Sequence, residues 1–421
     1  MRNGSRRSDG TVLLRNIARL VTLDHGDDAP RCGSAMGDLA VVDRAAVAVR
    51  AGRILEYGPE RALVRRYRGA AVRDAEQALV LPGLVDPHTH PVFAANRVGD
   101  FKRRLAGATY QEIAAAGGGI LSSVRAVREA SDARLRRTLE AHLLRLGRHG
   151  VALAEAKSGY GLSLRDEVRM LEAIGWWNRR RADAAGIWLV PTCLAAHSVP
   201  PEYRGRRADY VELVIGSILP AVRRRHLAER ADVFCEEGVF SVAESRRILT
   251  AARDLGLRLT VHADQLSALG GGALAAELGA DSADHLEYAD RRTIAALARA
   301  GTAAVLLPGS TFFLQMKRWA PARKMIDSGV VVALATDFNP GSSPVASPAA
   351  CMTLACLHLK MTPEECVTAF TLNAAYALRM QAEFGSIRPG KRAVFSLWRA
   401  EEPAEIAYAF GDNLCEGVWW V

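Results

Sequence analysis

Between about residues 80 and 380 the chain alternates short apolar runs with longer stretches in which apolar residues recur every three or four positions. The short runs are Leu84–Pro87, Val151–Ala156, Ile187–Thr192, Ala231–Cys235, Arg258–Val261, Ser282–Ala283, Ala303–Leu307 and Val330–Ala335. Most are apolar at nearly every position, the pattern of strands buried on both faces. The intervening segments, among them Arg125–Arg148, Val242–Leu255 and Arg291–Ala300, suit helices. Thr362-Pro-Glu-Glu365 predicts a helix start, with proline in the first turn and glutamate placed to close a capping box. Alternating strand–helix units over this length predict an α/β fold, a (β/α)8 TIM-type barrel over residues 81–384. The flanks differ. Thr11–Leu23, Leu39–Val49 and Ile54–Tyr57 are broken by Gly52 and Gly58-Pro59, and the same style returns at Ala393–Trp398 and Val418–Val421. Residues 1–80 and 385–421 are therefore expected to form one small β-sandwich domain built from both chain ends.

The candidate chemistry lies where these strands end. His88 and His90 follow the first, two residues apart and so able to face one ion. Arg97 comes next in the chain. Glu155, Lys157 and Tyr160 belong to the second strand, His197 to the third, and Glu236 and Glu237 to the fourth. His262, Asp264 and Gln265 follow the fifth, His285 the sixth, and Asp337 and Asn339 the eighth. A barrel gathers these ends at one mouth, where catalytic groups sit. His88, His90, His262 and Asp337 make a set of three nitrogens and one oxygen suited to one divalent or trivalent transition metal, Zn or Fe. Such an ion lowers the pKa of a bound water and yields a hydroxide nucleophile. Asp337 is placed to shuttle its proton, and His285 to orient the nucleophile or polarise a carbonyl. Lys157 has two readings, a carbamylated ligand bridging a second metal or an ion pair with Glu155.

Composition narrows the class. The net charge of +9 comes from arginines scattered over helices, and the runs Arg179–Arg181 and Arg223–Arg225 carry no interleaved aromatics. Nucleic acid is therefore not the expected partner. Seven scattered cysteines without a Cys-x-x-Cys motif point to a reducing compartment. The basic N-terminus leads into no signal-type apolar core and no run is long enough to span a membrane, so the protein reads as cytoplasmic.

The strand-end residues sit in longer segments: Pro82–Phe93, Ala116–Ile120, Glu155–Gly161, Ala196–Pro201, His262–Gln265, Asp284–Tyr288 and Ala335–Pro344. In this order they resemble the amidohydrolase superfamily and, within it, the imidazolone-ring hydrolases of histidine degradation. The resemblance covers residues 80 to 390. It implies metal ligation by His88, His90, His262 and Asp337. It also implies substrate contacts from Arg97, Tyr160, His197, Gln265 and Ser342, with Asn339 and Gly341 near the product. The implied reaction hydrolyses the cyclic amide C–N bond of 4-imidazolone-5-propanoate to give N-formimidoyl-L-glutamate. The residues agree with this. Arg97 offers a planar fork for the propionate, and Gly341-Ser342-Ser343 offers backbone amides to cradle a carboxylate. Gln265 is expected to orient substrate, since an amide cannot take up a proton. Gly390-Lys-Arg-Ala-Val394 lacks the aspartate of the family pattern, and Ser310–Lys317 is a loose version of its aromatic loop. The alternatives are a purine or pyrimidine aminohydrolase with the same ligands, and a non-catalytic binding barrel. The expected partners are a small-molecule substrate and, in this architecture, a second copy in a homodimer.

Overall fold

The computed structural model describes residues 10–108, 112–113, 116–180 and 186–421. The basic N-terminal stretch before Gly10 and Arg181 of the first arginine run lie outside them. Among the described residues, fifteen strands form two sheets. The first sheet has seven strands: β1 (Thr11–Val21), β2 (Val41–Arg50), β3 (Arg53–Pro59), β4 (Ala71–Asp74), β5 (Leu79–Pro82), β14 (Val394–Trp398) and β15 (Cys415–Trp420). Its order is β15-β14-β5-β1-β2-β3, with β4 also on β1. Both chain ends thus meet in one sheet, and β5 takes β1 on one edge and β14 on the other.

The second sheet has eight parallel strands in sequence order: β6 (Leu84–Asp86), β7 (Val151–Lys157), β8 (Trp188–Ala196), β9 (Arg230–Cys235), β10 (Arg258–Ala263), β11 (Ser282–His285), β12 (Ala303–Leu306) and β13 (Val332–Leu334). It curls into a barrel. Past β6 and β13 the ends are joined by a Thr89–Phe338 bridge, with Asp337 N–H donating to His88 O at 3.1 Å and His90 N–H to Phe338 O at 2.9 Å. The seam therefore closes among the candidate ligands. Asp86 strengthens it, accepting the Thr336 N–H at 3.0 Å and the Thr336 hydroxyl at 2.5 Å.

Every residue of β6, β7 and β9 is buried, the ionisable Glu155, Lys157, Arg230 and Asp232 along with the apolar positions between them. Gly83 joins the two sheets where the chain passes too close for a side chain: an added Cβ would lie 2.5 Å from Ala152 Cβ. Helices cover the barrel through apolar stripes such as Leu135, Leu139, Leu143 and Leu146 on the helix Asp132–Arg148. The capping box predicted at Thr362 and Glu365 is present.

Two expectations are corrected. Arg125–Arg148 is two helices, Ile120–Glu129 and Asp132–Arg148. Ala130 is extended and the Ser131 hydroxyl accepts the Arg134 N–H, so a new N-cap breaks the run. The fifth and sixth strands run further than their apolar cores, to Ala263 and His285. His262 and His285 therefore sit within strands rather than after them, and their geometry is fixed by sheet register.

Candidate active site

The imidazoles of His88, His90 and His262 converge through Nε2. The His88–His90 separation is 3.2 Å and the His90–His262 separation 3.4 Å. Asp337 Oδ1 lies 3.6 Å from His88 Nε2 and 3.5 Å from His90 Nε2. A tetrahedron with metal–nitrogen bonds of about 2.0–2.1 Å has edges of about 3.3–3.4 Å, so this spacing fits a single ion. Outside the ring of donors, His88 Nδ1 meets Asp284 Oδ2 at 2.6 Å and His262 Nδ1 meets Asp232 Oδ2 at 2.8 Å. Carboxylates there fix the ring orientation and raise the basicity of the ligating nitrogen. Burial, with the surrounding cations, pushes His88 and His90 well below their usual pKa, which keeps them neutral as ligation requires.

Lys157 organises this outer layer. Its ammonium is fully buried and sits 2.7 Å from Glu155, 2.7 Å from Asp232 and 3.5 Å from Asp284. Burial opposes the charge, but these carboxylates outweigh it and hold the amine above its usual pKa. In this structure the amine is thus ion-paired, with Glu155 among its partners. Asp232 and Asp284 were not singled out from the sequence. Both lie on strands whose inward positions could have marked them, but their partners come from elsewhere in the chain: Asp232 meets His262 from the neighbouring β10, and Asp284 meets His88, which follows a strand not paired with β11.

The wall above the ligands carries Arg97, Tyr160, His197, Gln265, His285, Asn339 and Ser342, so these expected residues share one pocket with Asp337. His197 stacks on His90 with ring centres 5.2 Å apart, and its Nδ1 lies 3.1 Å from the Gly159 carbonyl. Burial, then His262, pushes His197 down to about 3. The loop bearing Tyr160 is held by Glu167, whose carboxylate accepts the N–H groups of Gly159, Gly161 and Leu162. Glu236 does the same for Gln265 and Leu266. His285, Leu286 and Asp337 have φ of 78°, 66° and 53°. Left-handed backbone in non-glycine residues carries strain, and such strain clusters at functional sites.

The amide cradle expected at Gly341-Ser342-Ser343 is not available to a ligand. Asn339 Oδ1 accepts all three N–H groups, at 2.8, 2.8 and 3.4 Å. An asparagine two residues ahead of a turn captures its amides in this way. Gly341 is also off the pocket wall. It lies beneath the Arg97 guanidinium, and a Cβ there would fall 1.4 Å from Arg97 Nη2. Gly341 therefore makes room for the arginine. Arg97 itself has a side chain 8% exposed, its nearest carboxylate being Asp100 at 3.5 Å from Nε. Asp100 Oδ2 already accepts the Gly119 N–H at 2.9 Å. Among the described residues the buried Arg97 Nε has no hydrogen-bond partner.

Comparison with known proteins places this arrangement. The amidohydrolase family matches residues 79–414. An imidazolonepropionase of Solibacter usitatus (strain Ellin6076) is 48% identical, covering 98% of this chain and 97% of its own. One of Symbiobacterium thermophilum is 51% identical over 97% of this chain and 95% of its own. The chain belongs to the amidohydrolase family and, within it, to the imidazolonepropionase family. Among solved structures, a triazine hydrolase variant superposes with a TM-score of 0.76 at 16% identity, covering 97% of this chain and 93% of its own. An E. coli guanine deaminase does so at 0.73 and 13%, covering 97% of each chain. At that identity the likeness is one of fold. Among the described residues no helix is long and apolar enough to cross a membrane.

Proposed function

We propose that this hydrolase opens the ring of 4-imidazolone-5-propanoate at its cyclic amide C–N bond, giving N-formimidoyl-L-glutamate. The observation that carries the reading is one buried arginine, Arg97, on the wall of a pocket floored by three imidazoles and a carboxylate. Relatives that bear the imidazolonepropionase name over nearly their whole length support it. His88, His90, His262 and Asp337 would hold one Zn or Fe ion, which supplies water activated near neutral pH. Arg97 binds the propionate. Tyr160, His197 and Gln265 flank the ring, and Asn339 and Ser342 close the far side. Asp337 accepts a proton from the attacking water and returns it to the ring nitrogen as the C–N bond breaks. His285, inside the same wall, faces the carbonyl on which negative charge develops.

The test is to follow the ring absorbance of freshly made substrate with purified protein. Absorbance should fall without release of ammonia, stop after chelation, and return when Zn or Fe is restored. Ammonia release would instead mark an aminohydrolase. A second prediction addresses Arg97. Truncating one partner of a desolvated charge pair costs roughly 2–5 kcal/mol. Arg97→Met should therefore lower kcat/KM by about 30-fold or more with native metal content, and Arg97→Lys should recover only part of the loss. Native kcat/KM in the methionine variant would mean that the propionate is held elsewhere.

A further inference from the structure

Outside the catalytic pocket lies a second cavity of about 560 Å³. It shares Leu266 and Leu314 with the catalytic pocket, so the two adjoin at these side chains. Its lining includes Arg104, Lys317 and Arg318, and among the described lining residues none is acidic. These cations form an inward series. Lys317 and Arg318 are exposed, Arg104 is half-buried, and the Arg97 side chain beyond them is nearly covered. Their positions are built. Arg318 lies over the Tyr288 ring at 4.6 Å and its Nε donates to Glu287 O at 2.8 Å. Arg104 lies over Phe313 at 4.9 Å, and its Nη2 reaches Gly341 O at 3.5 Å. Gly341 is the residue beneath the Arg97 guanidinium. One residue thus separates the last cation of the outer cavity from the propionate-binding arginine.

We propose that this outer cavity is an anion-collecting subsite, which takes the carboxylate of the incoming substrate and passes it inward to Arg97. The proposal rests on the reading of the substrate as a small carboxylate. A concave wall of one sign raises the local concentration of an oppositely charged ligand, and salt removes the effect. The cavity has such a wall: it is concave, carries three cations, and borders the catalytic pocket at Leu266 and Leu314.

Lys317→Glu tests it on the metal-loaded enzyme, because Lys317 is exposed and its replacement leaves the core untouched. Native kcat/KM should fall about fivefold between 0.01 and 0.5 M NaCl, as the Debye length shrinks from about 30 Å to a few ångströms. Lys317→Glu should start about tenfold below native and meet it at high salt, with kcat changed less than twofold. Arg68→Glu, an equal charge change at an exposed turn between the helix Glu60–Arg66 and β4, should keep the native salt slope. Equal slopes for native and Lys317→Glu would overturn the proposal. Equilibrium dialysis of labelled glutarate gives a readout independent of turnover. Its affinity should fall about fivefold in Lys317→Glu at low salt, and an unchanged affinity overturns the subsite even in an enzyme that opens the imidazolone. A lowered affinity in a protein that does not open the imidazolone would keep the subsite and overturn the substrate reading.

Discussion

Asp337→Asn is expected to lower turnover by about a thousandfold or more, while substrate affinity changes less than tenfold. The substitution keeps the size of the side chain but removes its charge and its capacity to accept a proton. General acid–base groups contribute about 10²–10⁴ in rate, and a weakened ligand adds to that loss. The binding groups do not depend on Asp337: Arg97 sits over Gly341, and Tyr160 is set by the loop that Glu167 holds. Steady-state and single-turnover kinetics on the metal-loaded variant separate the two quantities. Turnover within tenfold of native would remove Asp337 from both the ligand and the proton-transfer roles.

The second large effect is at Lys157. Lys157→Met should cost about 3–5 kcal/mol, because three carboxylates packed around one ammonium lose the counter-charge they share. Calorimetry would read this as a thermal midpoint lowered by about 3–6 °C. Metal affinity should fall as well, by about 10–100-fold, since Asp232 and Asp284 orient His262 and His88. The pH dependence has a definite sign. The folded-state pKa of Lys157 lies above the ordinary 10.5, so its contribution is complete below that pH and fades only as pH rises beyond it. The stability difference between native and Lys157→Met should therefore be flat from pH 6 to 9. Two metal equivalents per native chain, by elemental analysis, would overturn this account and bring back the bridging lysine.

Much of this site was legible because the ligands lie at strand ends, where an apolar run stops at a histidine or an aspartate. His88, His90, His262 and Asp337 announce themselves in that way. Barrel topology needed only the count and spacing of the runs. The outer layer was hidden for a physical reason. Asp232 lies inside the apolar strand Arg230–Cys235, and its partner His262 is supplied by a neighbouring strand through register that one-dimensional periodicity does not carry. The misread at Gly341–Ser343 is similar. Free amides follow from the residue types alone, but Asn339 reaches them first. The missed break at Ala130 was visible in Ser131-Asp132, a usable N-cap inside an otherwise continuous helical stripe.

The pairing of β5 bears on how the molecule is made. This strand leads through Gly83 into the first strand of the barrel, so it leaves the ribosome early. The strand that covers its second edge, β14, is synthesised only after the whole barrel. Until then the nascent chain carries an all-apolar segment, Leu79–Pro82, with one side unpaired. This sheet can close only once β14 has been made, through contacts far apart in the sequence, and high contact order makes that step slow. A protease that cut just ahead of Val394 would recreate the same open edge in the mature protein, and an uncovered apolar strand recruits other chains.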